Sequence, residues 1–349
     1  MKADTPDGYT HQMSDAAALL VLHDGAAGNR RQALALVEAW QLPFEEMTLA
    51  SRAPWRWVAP RRLPRSAAAF GPDFTARLAT PPALAVGCGR QAALATRLLR
   101  EHGARTLQIL HPRLSTSHWD RVVLPTHDGV SGGNVLTLDG SLNPIDESWL
   151  ARERAAYADL GDLPSPRTAL LVGGPTAASD WNAKALASAV EVLLRWHERD
   201  GGSLLVACSR RTPDTMRRQL QYAFAQRATV WTGTADGRNP YTGMLAWADR
   251  LVVTPDSANL LSEAAATNAP MWVAFPQHTH GRLRGLVDKA LESGRARALG
   301  VNAATWPVVP WRESRRLAES LRPWVLEALG VDDQRTSVAT CGIADRTAG

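Results

Sequence analysis

Residues 250–275 read RLVVTPDSANLLSEAAATNAPMWVAF, and their pattern decides the fold. Residues 250–254 form a short strand-like run that stops at Pro255. Asp256 or Ser257 supplies a helix cap, an Ala- and Leu-rich helical stretch follows, and residues 271–275 are strand-like again. A strand, a helix and a second strand at this spacing make a parallel crossover, not a hairpin. The same rhythm runs outward. Upstream, strands are expected at residues 168–172, 203–208 and 229–231, and in the first half at 17–24, 83–89, 105–111 and 121–124. Between them, Ala33, Val37 and Trp40 share one helical face, as do Leu94, Leu98 and Leu99. Ala183, Leu186, Val190, Leu193 and Leu194 form another such stripe. This alternation predicts an α/β protein of two Rossmann-like domains with parallel sheets, meeting near Leu163-Pro164-Ser165-Pro166. The expected domains are residues 1–163 and 164–330, closed by a helical pattern after Arg312, with a loose tail at 331–349.

Composition fits that architecture. A chain of 349 residues suits two domains. Hydrophobic residues at 45%, charged residues at 21% and a mean hydropathy of −0.20 describe a soluble globular protein. No apolar run is long enough to span a bilayer, and Met1-Lys2-Ala3-Asp4 lacks the charged-then-apolar signature of a signal peptide, so secretion is not expected. Cys88, Cys208 and Cys341 are far apart and form no CxxC, which disfavours a disulfide framework or a zinc ribbon. The expectation is a cytoplasmic protein without metal or cofactor. The net charge of +5 comes from 36 Arg and 3 Lys, a skew that reflects base composition, so no nucleic-acid role is expected.

Polar residues gather where strands end, which is where parallel sheets bind ligands. The first strand runs into His23-Asp24-Gly25-Ala26-Ala27-Gly28-Asn29 and then a helix, a place for an anion or for a plain turn capped by Asn29. Gly173 and Gly174 end a strand of the second domain. Ser209-Arg210-Arg211-Thr212-Pro213 ends the next, as a phosphate clamp or as solvated arginines. Glu263, among Leu and Ala residues, needs a partner: a ligand hydroxyl or a neighbouring Arg. His127 beside Asp128 is either a general base or a structural pair. Residues 51–65, SRAPWRWVAPRRLPR, hold five Arg, two Trp and no acid, which suits an anionic surface such as lipid headgroups; the alternative is a loop with its tryptophans packed inward.

Taken together, HDGAAGNRRQALAL, HPRLSTSHWDRVVLPTHDG, GGNVLTLDGSLNPI, LLVGGPT, SRRTP and NPYTGMLAWADRLVVTPDSANLLSEAAATNAP resemble bacterial relatives of the plant mitochondrial-fission "elongated mitochondria" family. That family resembles glycosyltransferases of the two-Rossmann GT-B type. The resemblance implies a nucleoside diphosphate sugar as donor and a cell-envelope glycan or lipid-linked acceptor. It places Glu263 on the donor ribose, with Asp256, Ser257, Ser262, Asn239 and Tyr241 in the same substrate-binding stretches, and Asn268 where a Gly is usual. Arg210, Arg211, Ser209 and Thr212, with Gly173 and Gly174, then hold the diphosphate. Gly25, Gly28 and Asn29 line the first-domain loop, and Asp24, or His127 with Asp128, deprotonates the acceptor. A rival from another class is a non-catalytic adaptor that keeps the fold and binds a protein or a membrane. A nicotinamide dehydrogenase lacks its GxGxxG.

Overall fold

A computed structural model describes residues 18–331. Of the expected tail at 331–349, residues 332–349 lie outside the described residues. Among the described residues, twelve strands form two sheets. The first sheet contains β1 (Leu19–His23), β2 (Glu45–Thr48), β3 (Leu84–Cys88), β4 (Arg105–Ile109), β5 (Arg121–Pro125) and β6 (Val135–Leu138), in the order β2-β1-β3-β4-β5-β6. The second contains β7 (Arg167–Val172), β8 (Ser203–Cys208), β9 (Ala228–Trp231), β10 (Arg250–Val253), β11 (Met271–Val273) and β12 (Ala296–Ala298), in the order β12-β11-β10-β7-β8-β9. Every pairing in the second sheet is parallel, as are β2-β1-β3-β4-β5 in the first. The expected α/β class with two Rossmann-like sheets is what the chain forms.

By compactness the described chain divides into two units. Residues 18–123, 132–135 and 320–331 make the first, and residues 124–131 and 136–319 the second. The first unit's core gathers Leu20, Leu22, Phe74, Ala85, Leu94 and Leu98, all buried. In the second unit both faces of β7 are covered, Ala169 and Leu171 on one side, Leu170 and Val172 on the other. Burial on both faces explains why β7 reads as an unbroken apolar run. One face carries Trp196, Trp272 and Trp306 in successive edge-to-face contacts with centroids 5.0 and 4.9 Å apart. Each such contact is worth about 0.5–1.5 kcal/mol beyond area burial.

Local chemistry sets the helix ends. Helix Ala183–Asp200 starts where Asn182 accepts from the N–H groups of Lys184 and Ala185, and stops at Gly201 with φ +69°. Leu186, Val190 and Leu193 are buried along its stripe, while Ala183 sits exposed in the first turn. The final helix is Glu313–Leu329. Sequence reading missed β2, β6 and β12.

Candidate functional site

The order of the second sheet, counted from β7, is 3-2-1-4-5-6 reversed, so its topological switch point lies between β7 and β10. Ligands bind such sheets at that crevice, outside the carboxyl ends of the strands. Several candidate residues of this unit follow those strand ends or the next one. Thr254 and Asp256 follow β10, Gly173 and Gly174 follow β7, and Ser209 to Thr212 follow the adjacent β8.

Asp256 is 2% exposed and accepts the Gly174 N–H at 2.6 Å. The Gly173 N–H donates to the Thr254 hydroxyl at 2.8 Å. A Cβ on Gly173 would lie 1.8 Å from an Asp256 carboxylate oxygen, and one on Gly174 would lie 2.1 Å from the Arg211 carbonyl oxygen. Only glycine fits at either position. The room these glycines leave, read from sequence as space for a ligand, is filled by the protein's own loops, and both amides are engaged internally. Burial pushes the Asp256 carboxyl up, opposed by hydrogen bonds from Thr254 and Gly174 and by Arg211. The Arg211 guanidinium stands 3.9 Å away.

The 209–212 turn is built to hold its arginines at the strand ends. The Thr212 hydroxyl donates to the Val172 and Gly173 carbonyls, and Ser209 Oγ accepts the Arg211 N–H at 3.2 Å. Arg217, which sequence reading did not single out, donates to the Thr212, Ser209 and Arg210 carbonyls. Arg210 and Arg211 are exposed, and helix Asp214–Ala223 begins just beyond them with its first N–H groups lacking intrahelical partners.

Helix Ala258–Ala265 leaves β10 with Ser257 as its N-cap, the side chain accepting from Leu260 N. On its buried side Glu263 is 5% exposed and accepts a hydrogen bond from the Tyr241 hydroxyl. One partner of Glu263 is thus another candidate residue, Tyr241. Asn239 lies two residues before Tyr241; its side chain accepts the Tyr241 N–H, and its carbonyl accepts the Tyr157 hydroxyl at 2.7 Å. Ser262 accepts the Ser141 N–H at 2.9 Å and donates to the Ala258 carbonyl at 2.7 Å, pinning the 140–143 loop. Arg295 is also buried. Its guanidinium meets the carbonyls of Ala264, Ala265, Thr267 and Ala269, which end this helix. Tyr157 and Arg295 carry no local sequence signal, because their partners are backbone atoms far along the chain.

His127 and Asp128 occupy the 3-10 turn Thr126–Asp128 in the same unit. Asp128 pairs with Arg282 at 3.1 Å, and the His127 Cβ would sit 3.1 Å from a Cβ on Gly285. Burial lowers the His127 imidazole, with Asp128 raising it and Arg282 lowering it further. Asp128 therefore turns to the arginine and does not orient the ring.

In the first unit the strand order places the switch point between β1 and β3. His23 ends β1, Gly25 has φ +76°, and helix Ala27–Glu38 begins at once. Asp24 Oδ1 accepts from Ala26 N at 3.1 Å and from Asn29 Nδ2 at 2.9 Å. Asn29 is therefore not the cap. The helix starts before it, because the Asp24 turn already satisfies Ala26, and Asn29 reaches back from inside the first turn beside Gly28. Gly89, which follows β3, lies so close that its Cβ would meet the Asn29 amide at 2.4 Å. Buried His23 bonds Glu46 at 2.7 Å, and Arg30 holds the same carboxylate well below its usual range. Cys88 and Cys208 are buried free thiols, Cys208 pushed up to about 11, so neither is a thiolate at neutral pH. Cys341 lies outside the described residues.

Two parallel six-stranded sheets, each with a polar loop cluster at its switch point, define a GT-B-type α/β protein. The chain belongs to the mitochondrial fission ELM1 family, whose model matches residues 27–325. The mitochondrial fission protein ELM1 of Arabidopsis thaliana is 26% identical over 271 residues, covering 69% of this chain and 63% of that protein. This chain therefore spans less than two thirds of that relative. An uncharacterised Rickettsia prowazekii protein is 21% identical over 351 residues, covering 86% of this chain and 97% of its own. Among solved structures, UDP-GlcNAc 2-epimerase from Methanocaldococcus jannaschii matches with TM-score 0.55 at 11% identity, over 87% of this chain and 99% of that one. The Neisseria meningitidis UDP-GlcNAc 2-epimerase bound to UDP-GlcNAc has TM-score 0.50 at 10% identity, over 90% and 94%. A variant of Os79 from O. sativa in complex with UDP has TM-score 0.50 at 12% identity, over 90% and 92%. At these identities the likeness shows the fold.

Proposed function

We propose that this chain is a glycosyltransferase moving a sugar from a nucleoside diphosphate sugar to a cell-envelope glycan or lipid-linked acceptor, on the cytoplasmic side of the membrane. The observation that carries the reading is the strand-end region at the second unit's switch point, where exposed Arg210 and Arg211 follow the neighbouring β8 in the same unit as buried Glu263 and its half-buried partner Tyr241. The structural neighbours crystallised with UDP or UDP-GlcNAc support it. In this reading Arg210, Arg211 and the N-terminus of helix Asp214–Ala223 bind the diphosphate, supplying positive potential without a metal. Glu263, oriented by Tyr241, accepts the ribose hydroxyls. Ser257 and Asp256 shape the floor, and Ser262 and Asn239 hold the surrounding loops. Asp24 removes the acceptor proton; His127, kept neutral by burial, is the alternative base.

One observation favours the adaptor reading: Asp24, Gly173, Gly174, Ser209, Thr212 and Ser262 all have hydrogen-bond partners inside the protein. A turnover assay separates the two readings. Release of nucleoside diphosphate is followed from a panel of nucleotide sugars, with extracted lipid-linked glycans as acceptors. Asp24→Asn is the clean variant, because its amide oxygen still accepts from Ala26 and Asn29. We expect release by the wild type and a loss of about 100-fold or more in Asp24→Asn, with donor affinity unchanged. Wild-type rates in the variant would remove Asp24 as base, and no release with any pair would favour the adaptor.

A further inference from the structure

From residue 47 to residue 72 the chain has no acidic side chain, and within that span residues 51–65 carry five arginines. The structure shows how this segment is built. Helix Trp55–Val58 is a single turn, and its two tryptophans point to different environments. Trp55 packs against the first unit's core, as do Phe70 and Met47. Trp57 stands out, 68% exposed.

The turn is braced from behind. Arg90 donates to the Trp57 and Arg56 carbonyls, and Gln91 donates to the Arg56 carbonyl at 2.9 Å. Arg97, whose guanidinium burial lowers, holds the Pro60 carbonyl at 2.7 Å. Ser66 closes the far end by bonding both the N–H and the carbonyl of Leu63. An exposed indole is therefore carried on a backbone already fixed in place, and burying it against a partner costs little ordering entropy.

Charge completes the surface. Arg52, Arg56, Arg61 and Arg65 are exposed. Arg62 is paired with Glu101 at 2.6 Å, which makes it the arginine least available to a partner. Arg100 turns to Asp120 and the Ser117 carbonyl. A fixed, exposed Trp among unneutralised guanidinium groups matches the headgroup layer of an anionic bilayer. There the ring sits between apolar chains and water, and the arginines meet lipid phosphates. Among the described residues no helix is long and apolar enough to cross a membrane, so the contact would be made at the surface.

We propose that residues 51–65 form a docking surface for an anionic lipid bilayer, with Trp57 seated at headgroup depth and Arg52, Arg56, Arg61 and Arg65 around it. The proposal does not depend on the catalytic reading, since an enzyme and an adaptor could both use it.

Vesicle co-sedimentation of the full chain tests it, with phosphatidylcholine vesicles alone or mixed with phosphatidylglycerol, at low and high salt. The wild type should sediment with the phosphatidylglycerol vesicles at low salt, stay in solution with pure phosphatidylcholine, and be released by salt. Arg56→Gln and Arg61→Gln should each weaken partitioning about fivefold. Trp57→Ser should weaken it at least about fivefold, with an unchanged melting temperature because the ring is exposed. Equal binding to both vesicle types, or to neither, would overturn the proposal. So would variants that sediment like the wild type. Soluble heparin that competes equally with wild type and Trp57→Ser, with vesicle binding insensitive to the indole, would mark a plain polyanion surface and also overturn it.

Discussion

Asp256 joins the two strand ends of the second switch point. Its carboxylate occupies the space a Gly173 side chain would take and accepts the Gly174 N–H, so the glycine turn and the β10 exit are held as one unit. That position is almost water-free, and burial raises its pKa above the usual carboxylate range. The sign of the pH dependence follows. Below the ordinary range the group is neutral in both folded and unfolded chains. As pH rises, the unfolded carboxyl ionises first, and the folded state loses stability until Asp256 itself ionises. Asp256→Asn removes this titration and keeps an acceptor for Gly174. Urea unfolding across the acidic range should therefore show the variant gaining on the wild type as pH rises and levelling off above the native pKa. A gap independent of pH would contradict the burial argument. At this scale the sequence showed Glu263 as a carboxylate among apolar residues and the arginines at a strand end, and the family resemblance added Tyr241. It did not show that the glycine amides are already spent, because their partners, Thr254 and Asp256, lie some eighty residues away.

Helix Ala258–Ala265 is the element that presents Ser257, Ser262 and Glu263, and Arg295 terminates it. Burial lowers the Arg295 guanidinium to about 10, so it remains charged at neutral pH and balances the carbonyl ends of the helix. Arg295→Met keeps the apolar volume and leaves those carbonyls unpaired. It should cost about 3 kcal/mol in urea unfolding. A loss below about 0.5 kcal/mol would show that the helix end needs no such cap. The strands legible in the sequence were those with apolar runs, such as β7, β8 and β10. The three that were missed, β2, β6 and β12, are sheet edges. An edge strand needs no continuous apolar pattern: Glu45 and Glu46 in β2 pair with Arg77 and Arg30, and Arg297 in β12 lies over the Trp306 ring. β9 is also an edge, but its Val230 and Trp231 gave it away.

At the scale of the molecule, each sheet has its own switch point: the Asp24 loop, Gly173 with Gly174, and Asp256 with Ser257 follow strands at one of them, Ser209 to Thr212 follow β8 beside it, and Asn239 and Tyr241 come after the edge strand β9. Strand-and-helix alternation is enough to expose this arrangement in the sequence. The partition into compact units is less legible, because residues 124–131 and 132–135 fall to different units within one short stretch. The central claim is that the second unit's switch point holds a nucleoside diphosphate through Arg210, Arg211 and Glu263. Equilibrium titration with nucleoside diphosphates and nucleotide sugars tests it most directly, with wild type and Glu263→Gln in parallel, since glutamine still accepts the Tyr241 hydroxyl and preserves the fold. The account predicts saturable wild-type binding that Glu263→Gln weakens about tenfold or more at an unchanged melting temperature. Binding that the variant leaves intact, or no binding to any nucleotide, would contradict it.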